Sequence, residues 1–213
     1  MNIFFRNGNF QPAAVWGLVW KRSTKTGVIM DLGIVRRKLA RPERGSKIEA
    51  AIVFVVAGFD GMLRIGKRCP TVIHSLRVGS QLERYGASIE TVLAGYLHDV
   101  KEDTNCGSRV IFSVFGEEVD ALVQACSENP RLAGAEKRED LFFRAETHGA
   151  QAIAIKVVDA ADNFYSIDDL PREFRDELAF CSRRWLQLGE KYLGFGAPHC
   201  VELRNLLEKE TQK

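Results

Sequence analysis

Apolar residues along this chain recur at helical spacing. Ile48, Ile52, Val55 and Phe59 follow one another at intervals of four, three and four, which puts them on one helix face. The preceding Ser46-Lys47-Ile48-Glu49 has the form of a capping box, with Ser46 as N-cap and Glu49 three positions on. A second helix is predicted from Thr71, opened by Pro70 and stopped by Gly86. Ser88 caps a third, which ends in His98-Asp99. Two short helices over 108–115 and 117–127 are split at Gly116, and an amphipathic helix over 136–149 ends at Gly149. Residues 150–167 read as a helix apolar enough to cross the core, although the β-branched run at 153–158 also suits a strand. Helices over 172–193 and 199–210 close the chain. The pattern predicts an all-α fold of about eight or nine helices, with no internal repeat.

Residues 1–45 differ. They show no sustained period, and the run "VRRKLARPERG" sets Arg36, Arg37, Lys38, Arg41 and Arg44 against Glu43 alone. One reading is a basic arm for nucleic acid or acidic lipid. The other, which the absence of apolar patterning favours, is a disordered extension, or a translation start at Met30. The expected organisation is therefore an extension over 1–45 and a helical domain over 46–213.

Composition narrows the class without deciding it. Apolar residues make up 46% and charged residues 27% of the 213, an ordinary globular balance, and the formal net charge of +2 calls for neither nucleic acid nor membrane. Cys69, Cys106, Cys126, Cys181 and Cys200 are scattered and never in C-x-x-C spacing, which points to a reducing, cytoplasmic compartment. No apolar run reaches the ~20 residues of a membrane span. "AAVWGLVW" at 13–20 is short and is followed by "KR", unlike a secretory leader.

Candidate chemistry lies in the polar residues that interrupt apolar helices. His74 sits inside "TVIHSL", His98-Asp99 ends "AGYLHD", and Asp159 interrupts "AIAIKVVDAA". A buried charge is costly unless paired or bound to a metal. Each residue alone has an ordinary explanation: a satisfied core histidine, a helix end, a pair with Lys156. Together, on three helices, they read as one site. Two imidazoles and two carboxylates suit a divalent ion such as Mn, Fe or Zn, and such a site activates water for hydrolysis. Glu102 and Asp103 follow within a turn and are placed to act as general acid and base.

In this order the residues resemble the HD-domain metal-dependent phosphohydrolases, and within them the alarmone hydrolase domain of the RelA/SpoT type and its small stand-alone relatives. The series is "R-x-G-x-x-x-P-x-x-x-H" at Arg64, Gly66, Pro70 and His74; "LHDVKEDT" at 97–104; "FGEEV" at 115–119; and Lys156, Asp159 and Asn163 as "K-x-x-D-x-x-x-N". The resemblance spans about residues 46–170. It implies the HD-domain helical fold, a metal held by His74, His98, Asp99 and Asp159, with Mn²⁺ as the ion, and catalysis by Glu102 and Asp103. It further implies substrate contacts from Arg64 and Asn163 and from Lys137 and Arg138, where the family carries a basic pair. The implied reaction removes the 3′-pyrophosphate from guanosine tetra- or pentaphosphate, the alarmone of the stringent response. Ile65, Thr71 and Ala160 depart from the family pattern, where lysine, tyrosine and a basic residue are usual, and these departures bear on nucleotide specificity. Another HD nucleotidase or dNTP hydrolase, or an inactive nucleotide-binding HD module, stays open as an alternative. No GYP motif is present for the cyclic-dinucleotide branch.

Overall fold

The computed structural model describes residues 20–21, 29–30, 32–64, 69–104 and 106–211. Most of the extension over 1–45, including all of "AAVWGLVW" but Trp20, and Ile65 and Gly66 lie outside the described residues. The architecture is all-α. A two-residue antiparallel pair, β1 (Trp20–Lys21) and β2 (Ile29–Met30), precedes α1 (Leu32–Leu39) and α2 (Arg44–Gly58). Then come α3 (Thr71–Arg84), α4 (Ile89–Leu97), α5 (Val100–Asp103), α6 (Ser108–Phe115), α7 (Glu117–Cys126), α8 (Gly134–His148) and α9 (Ala150–Asn163). A 3₁₀ segment (Phe164–Asp169), α10 (Arg172–Leu193) and α11 (Pro198–Thr211) complete the order. The nine expected helices all form. The two beyond them are α1 and the four-residue α5.

Helix α9 is the axis of the fold. Ala152 to Asp162 are buried without interruption, and α3, α7, α8, α10 and α11 pack around it. Its β-branched run is helical because neighbours cover every side, so the segment needs no polar face. Against it lies the α3–α4 pair, brought close by two glycines. A Cβ on Gly79 would meet the Tyr96 ring, and one on Gly95 would meet Leu82. This close approach sets the two histidine-bearing helices side by side.

Two local readings shift. Helix α2 starts at Arg44, with Glu43 as N-cap and no side-chain cap, so Ser46 lies inside the first turn. The amides of Ser46 and Lys47 already donate to the Glu43 carbonyl, 3.1 and 3.4 Å away. Second, α1 packs on α2 and buries Leu32 and Val35. The stretch just before the expected boundary at 45/46 therefore contributes a helix to the array.

Candidate metal centre and its pocket

Three helices bring the four polar residues together. His74 sits on the inner face of α3, and Asp159 on α9 opposite it. His98 ends α4 as its C-cap, and Asp99 is at once the N-cap of α5. That corner aims two consecutive side chains at one point. His74 and His98 are each about 1% exposed. Ligand atoms of His74, His98 and Asp99 all lie within 4.8 Å of one another. Asp159 joins through the imidazoles, its Oδ1 3.1 Å from His74 Nε2 and 3.6 Å from His98 Nε2. Asp99 reaches His98 Nε2 at 3.0 Å and His74 Nε2 at 3.4 Å.

The donor chemistry fits a divalent cation. His74 Nδ1 faces Asp162 Oδ2 at 2.6 Å and His98 Nδ1 faces the Gly95 carbonyl at 2.9 Å. Each neutral ring thus carries its proton at Nδ1, a tautomer inferred from these partners. The two Nε2 lone pairs then point at each other across 3.2 Å, flanked by carboxylate oxygens. Acceptors so arranged repel unless a positive charge lies among them. Ligand bonds of ~2.1 Å give neighbouring donor separations of about 3.0 Å in an octahedron and about 3.4 Å in a tetrahedron. The spacings found match. The electrostatics agree: burial pulls the His98 imidazole down, but Asp99 and Asp159 outweigh it and hold the group up at about 9. His74 is likewise raised against its burial, by Asp159 and Asp162.

Asp159 stays ionised although burial opposes it, because the Lys156 ammonium sits 2.6 Å from its Oδ2. Its Oδ1 also accepts from Asn163 Nδ2 at 2.9 Å, and Arg64 Nη2 donates to Asn163 Oδ1. Arg64 and Asn163 are therefore linked to the cluster through one hydrogen-bonded chain. They line a pocket of about 490 Å³ together with Asp99, Asp103, Arg138, Lys156 and Asp159. Its other wall is apolar: Leu141, Phe142, Leu178 and Trp185, with the Phe142 and Trp185 rings 4.4 Å apart. Such a cavity is of ordinary size for a small-molecule ligand. Thr71 and Ala160, two of the departures from the family pattern, also line it.

The remaining site residues fall out differently. Asp103 lines the pocket. Burial and then the Asp99 charge push its carboxyl up to about 6, and the same two causes push Glu102 up to about 7. Both residues are nevertheless exposed, so water screens much of that push. Glu102 does not line the pocket. Its Oε1 accepts the Glu128 amide at 2.8 Å, tying α5 to the segment after α7. Arg138 lines the pocket but is paired to Glu177 at 2.7 Å, whereas Lys137 is paired to Glu128 at 2.7 Å and lies off the wall. Two participants were not singled out by the sequence: Asp162, buried against His74, and Arg77, which holds Asp162. The signal for Asp162 was available, since it lies three residues after Asp159 in the same apolar helix.

No family model matches the chain. A guanosine-3′,5′-bis(diphosphate) 3′-pyrophosphohydrolase of Borreliella burgdorferi is 28% identical over 130 residues, 57% of this chain and 19% of that protein. The Danio rerio protein of the same description, MESH1, is 32% identical over 105 residues, 48% of this chain and 57% of its own length. The chain spans less than a fifth of the first curated relatives it matches, 19% and 18%. A solved structure described as a metazoan ortholog of SpoT that hydrolyzes ppGpp superposes with a TM-score of 0.69 at 20% identity, over 80% of this chain and 98% of that one. A second, lmo0812 from Listeria monocytogenes, gives 0.57 at 28% identity, over 66% of this chain and 99% of that one. The fold is shared with both.

Proposed function

We propose that this chain, which resembles the RelA/SpoT-type hydrolase domains and their small stand-alone relatives, is a divalent-metal-dependent nucleotide phosphohydrolase, a guanosine-3′,5′-bis(diphosphate) 3′-pyrophosphohydrolase. One observation carries the reading. A cluster of facing imidazole and carboxylate acceptors, suited to hold a cation, opens onto a pocket with a charged wall and an apolar, partly aromatic wall. Phosphates suit the first wall and a base suits the second. His74, His98, Asp99 and Asp159 would hold the ion, Mn²⁺ by likeness to the family. A divalent ion there supplies Lewis acidity toward a phosphoryl oxygen and lowers the pKa of water.

The chain's own groups do the rest. Asp103, on the pocket wall, would accept the proton of the attacking water. The water oxygen bonds to the phosphorus attached to the 3′-oxygen, that P–O bond breaks, and the proton taken by Asp103 passes to the 3′-oxygen as pyrophosphate is released. Glu102 holds the turn through the Glu128 amide, which fixes where Asp103 points. Arg64, anchored on Asn163, offers its remaining N–H groups to the nucleotide. Arg138 must exchange Glu177 for a phosphate to take part, and Lys137 contributes charge at a distance. Ala160 leaves uncharged a wall position where the family is basic. A missing charge-assisted contact is worth roughly 1.5–3 kcal/mol, about ten- to a hundredfold in affinity. Weakened binding of the alarmone and some tolerance for other nucleotides follow. The free cysteines among the described residues suit a reducing, cytoplasmic setting, and no described helix is long and apolar enough to cross a membrane.

The test is incubation of the purified protein and Mn²⁺ with a nucleotide panel, with phosphate and pyrophosphate read separately. The expected result is pyrophosphate from guanosine tetraphosphate, abolished by Asp99→Ala. Turnover of 5′-mono- or triphosphates alone would place the chain among other HD nucleotidases. Metal binding without any turnover would make it a nucleotide-binding module.

A further inference from the structure

We propose that Asp162, gripped by Arg77, is the positioning residue for His74: it takes the Nδ1 proton and turns the Nε2 lone pair toward the cation site. The proposal rests on the metal reading above. His74 has an aspartate at each ring nitrogen, and both come from α9, one turn apart. Asp162 Oδ2 stands 2.6 Å from Nδ1, and Asp159 Oδ1 stands 3.1 Å from Nε2. A neutral ring has one proton to give. If Asp159 took it, Nε2 would be a donor and could not bind a cation. The shorter contact puts it on Asp162 and leaves Nε2 free.

Arg77 makes that choice rigid. Its Nε lies 2.5 Å from Asp162 Oδ1 and its Nη2 lies 2.9 Å from Asp162 Oδ2, a bidentate grip that fixes the plane of the carboxylate. Asp162 is 5% exposed, so burial opposes its charge. His74 and Arg77 nevertheless hold its carboxyl below the usual range. Arg77 is held in turn from outside, its guanidinium 5.6 Å from the centre of the Tyr165 ring, whose hydroxyl donates to Glu202 Oε1 at 3.1 Å. Arg77, Asp162, Tyr165 and Glu202 line a separate pocket and not the substrate pocket. They therefore act on the reaction through His74 and not by touching the nucleotide.

The experiment measures Mn²⁺ affinity, by the electron paramagnetic resonance signal of the free ion, and the melting temperature of the metal-free protein. The full chain is compared with Asp162→Asn, Arg77→Ala and Arg77→Lys. Losing an outer partner of a ligating histidine lowers metal affinity about ten- to a hundredfold. That loss is expected for Asp162→Asn, with a smaller one for Arg77→Ala and partial recovery in Arg77→Lys. Wild-type affinity in Asp162→Asn and Arg77→Ala, with only the melting temperature lowered, would mean that the bridge merely ties α3 to α9, and would overturn the proposal. If Asp162→Asn does not fold, wild-type affinity in Arg77→Ala alone overturns it. Failure of the unaltered chain to bind Mn²⁺ would overturn the metal reading as well, which separates the two.

Discussion

Replacing Lys156 with methionine should destabilise the metal-free protein and spare the metal-loaded one. Lys156 and Asp159 are 8% and 7% exposed, and their charged atoms are 2.6 Å apart. Methionine keeps the apolar stem and removes the ammonium, leaving a buried carboxylate without its main partner. Deleting one member of a buried pair costs about 3–5 kcal/mol. In a chain of this size each kcal/mol moves the melting temperature by roughly 2–4 °C, so a drop of about 6–20 °C is expected without metal.

A bound cation replaces the missing charge on Asp159, and Lys156 no longer repels that cation. Metal at a hundred times its dissociation constant adds about 2.7 kcal/mol of stability, and the constant itself should fall in the variant. Differential scanning fluorimetry of both proteins, once in EDTA and once in saturating Mn²⁺, checks this. The gap between them should be wide in EDTA and narrow in Mn²⁺. An equal gap in both conditions would refute the argument, because Lys156 would then matter for packing alone. No gap in EDTA would show that Asp159 does not need the ammonium.

Two further outcomes follow from the site and the fold. Asp103→Asn should leave Mn²⁺ content unchanged and lower turnover by ~10²-fold or more. In the metal-loaded protein the cation offsets the Asp99 push, so this carboxyl should deprotonate below the value of about 6 it has without metal. The rate should rise with pH across the acid range, since the charged form is the base. A rate that does not fall with acid while metal stays bound would remove Asp103 from that role. Deleting residues 1–41 should lower the melting temperature, because Leu32 and Val35 are buried in the core and each is worth about 1.5–3 kcal/mol. An unchanged melting temperature would make α1 dispensable and the domain complete from Pro42.

The helices were legible where apolar spacing ran for three turns or more between recognisable ends. Ser88 caps α4 and accepts the Thr91 amide at 3.2 Å, and Gly86, Gly116 and Gly149 all adopt positive φ at helix ends. Helix α1 was hard to read because Leu32 and Val35 are its two buried positions, set in a basic run with no period to extend. The start of α2 was read three residues late because the capping-box pattern named Ser46 as N-cap, whereas Glu43 holds that place. The Glu43 carbonyl receives the first amides.

The proposed ligand quartet stood out because charges inside apolar runs need a partner, and the fold brings all four to one place. The acidic pair after it was harder. Adjacent helical residues point about 100° apart, so Glu102 and Asp103 cannot share one direction, and the sequence does not say which faces the pocket. Lys137 and Arg138 present the same problem. Lys137 turns back to Glu128 nine residues earlier, and Arg138 meets Glu177 from the distant α10, pairings that exist only in three dimensions.

Charge balance ties these parts together. Around the imidazoles stand three carboxylates, Asp99, Asp159 and Asp162, and two cations, Lys156 and Arg77, a formal sum of −1 with neutral histidines. The Asp99 and Asp159 carboxylates hold the His98 proton up to about 9. A divalent ion in place of the proton leaves the cluster at +1. The pocket beside it then adds the Arg64 guanidinium, whose contact is with a neutral amide and not a carboxylate. A phosphate entering there would meet the charge of a bound cation and of Arg64, set against the carboxylates of Asp103, Glu128 and Glu177 around the same pocket. A neutral ester would gain nothing from that charge. On the proposed reading, the cation and Arg64 would hold the phosphates of a substrate and the apolar wall of Phe142 and Trp185 would be left to choose among nucleotides.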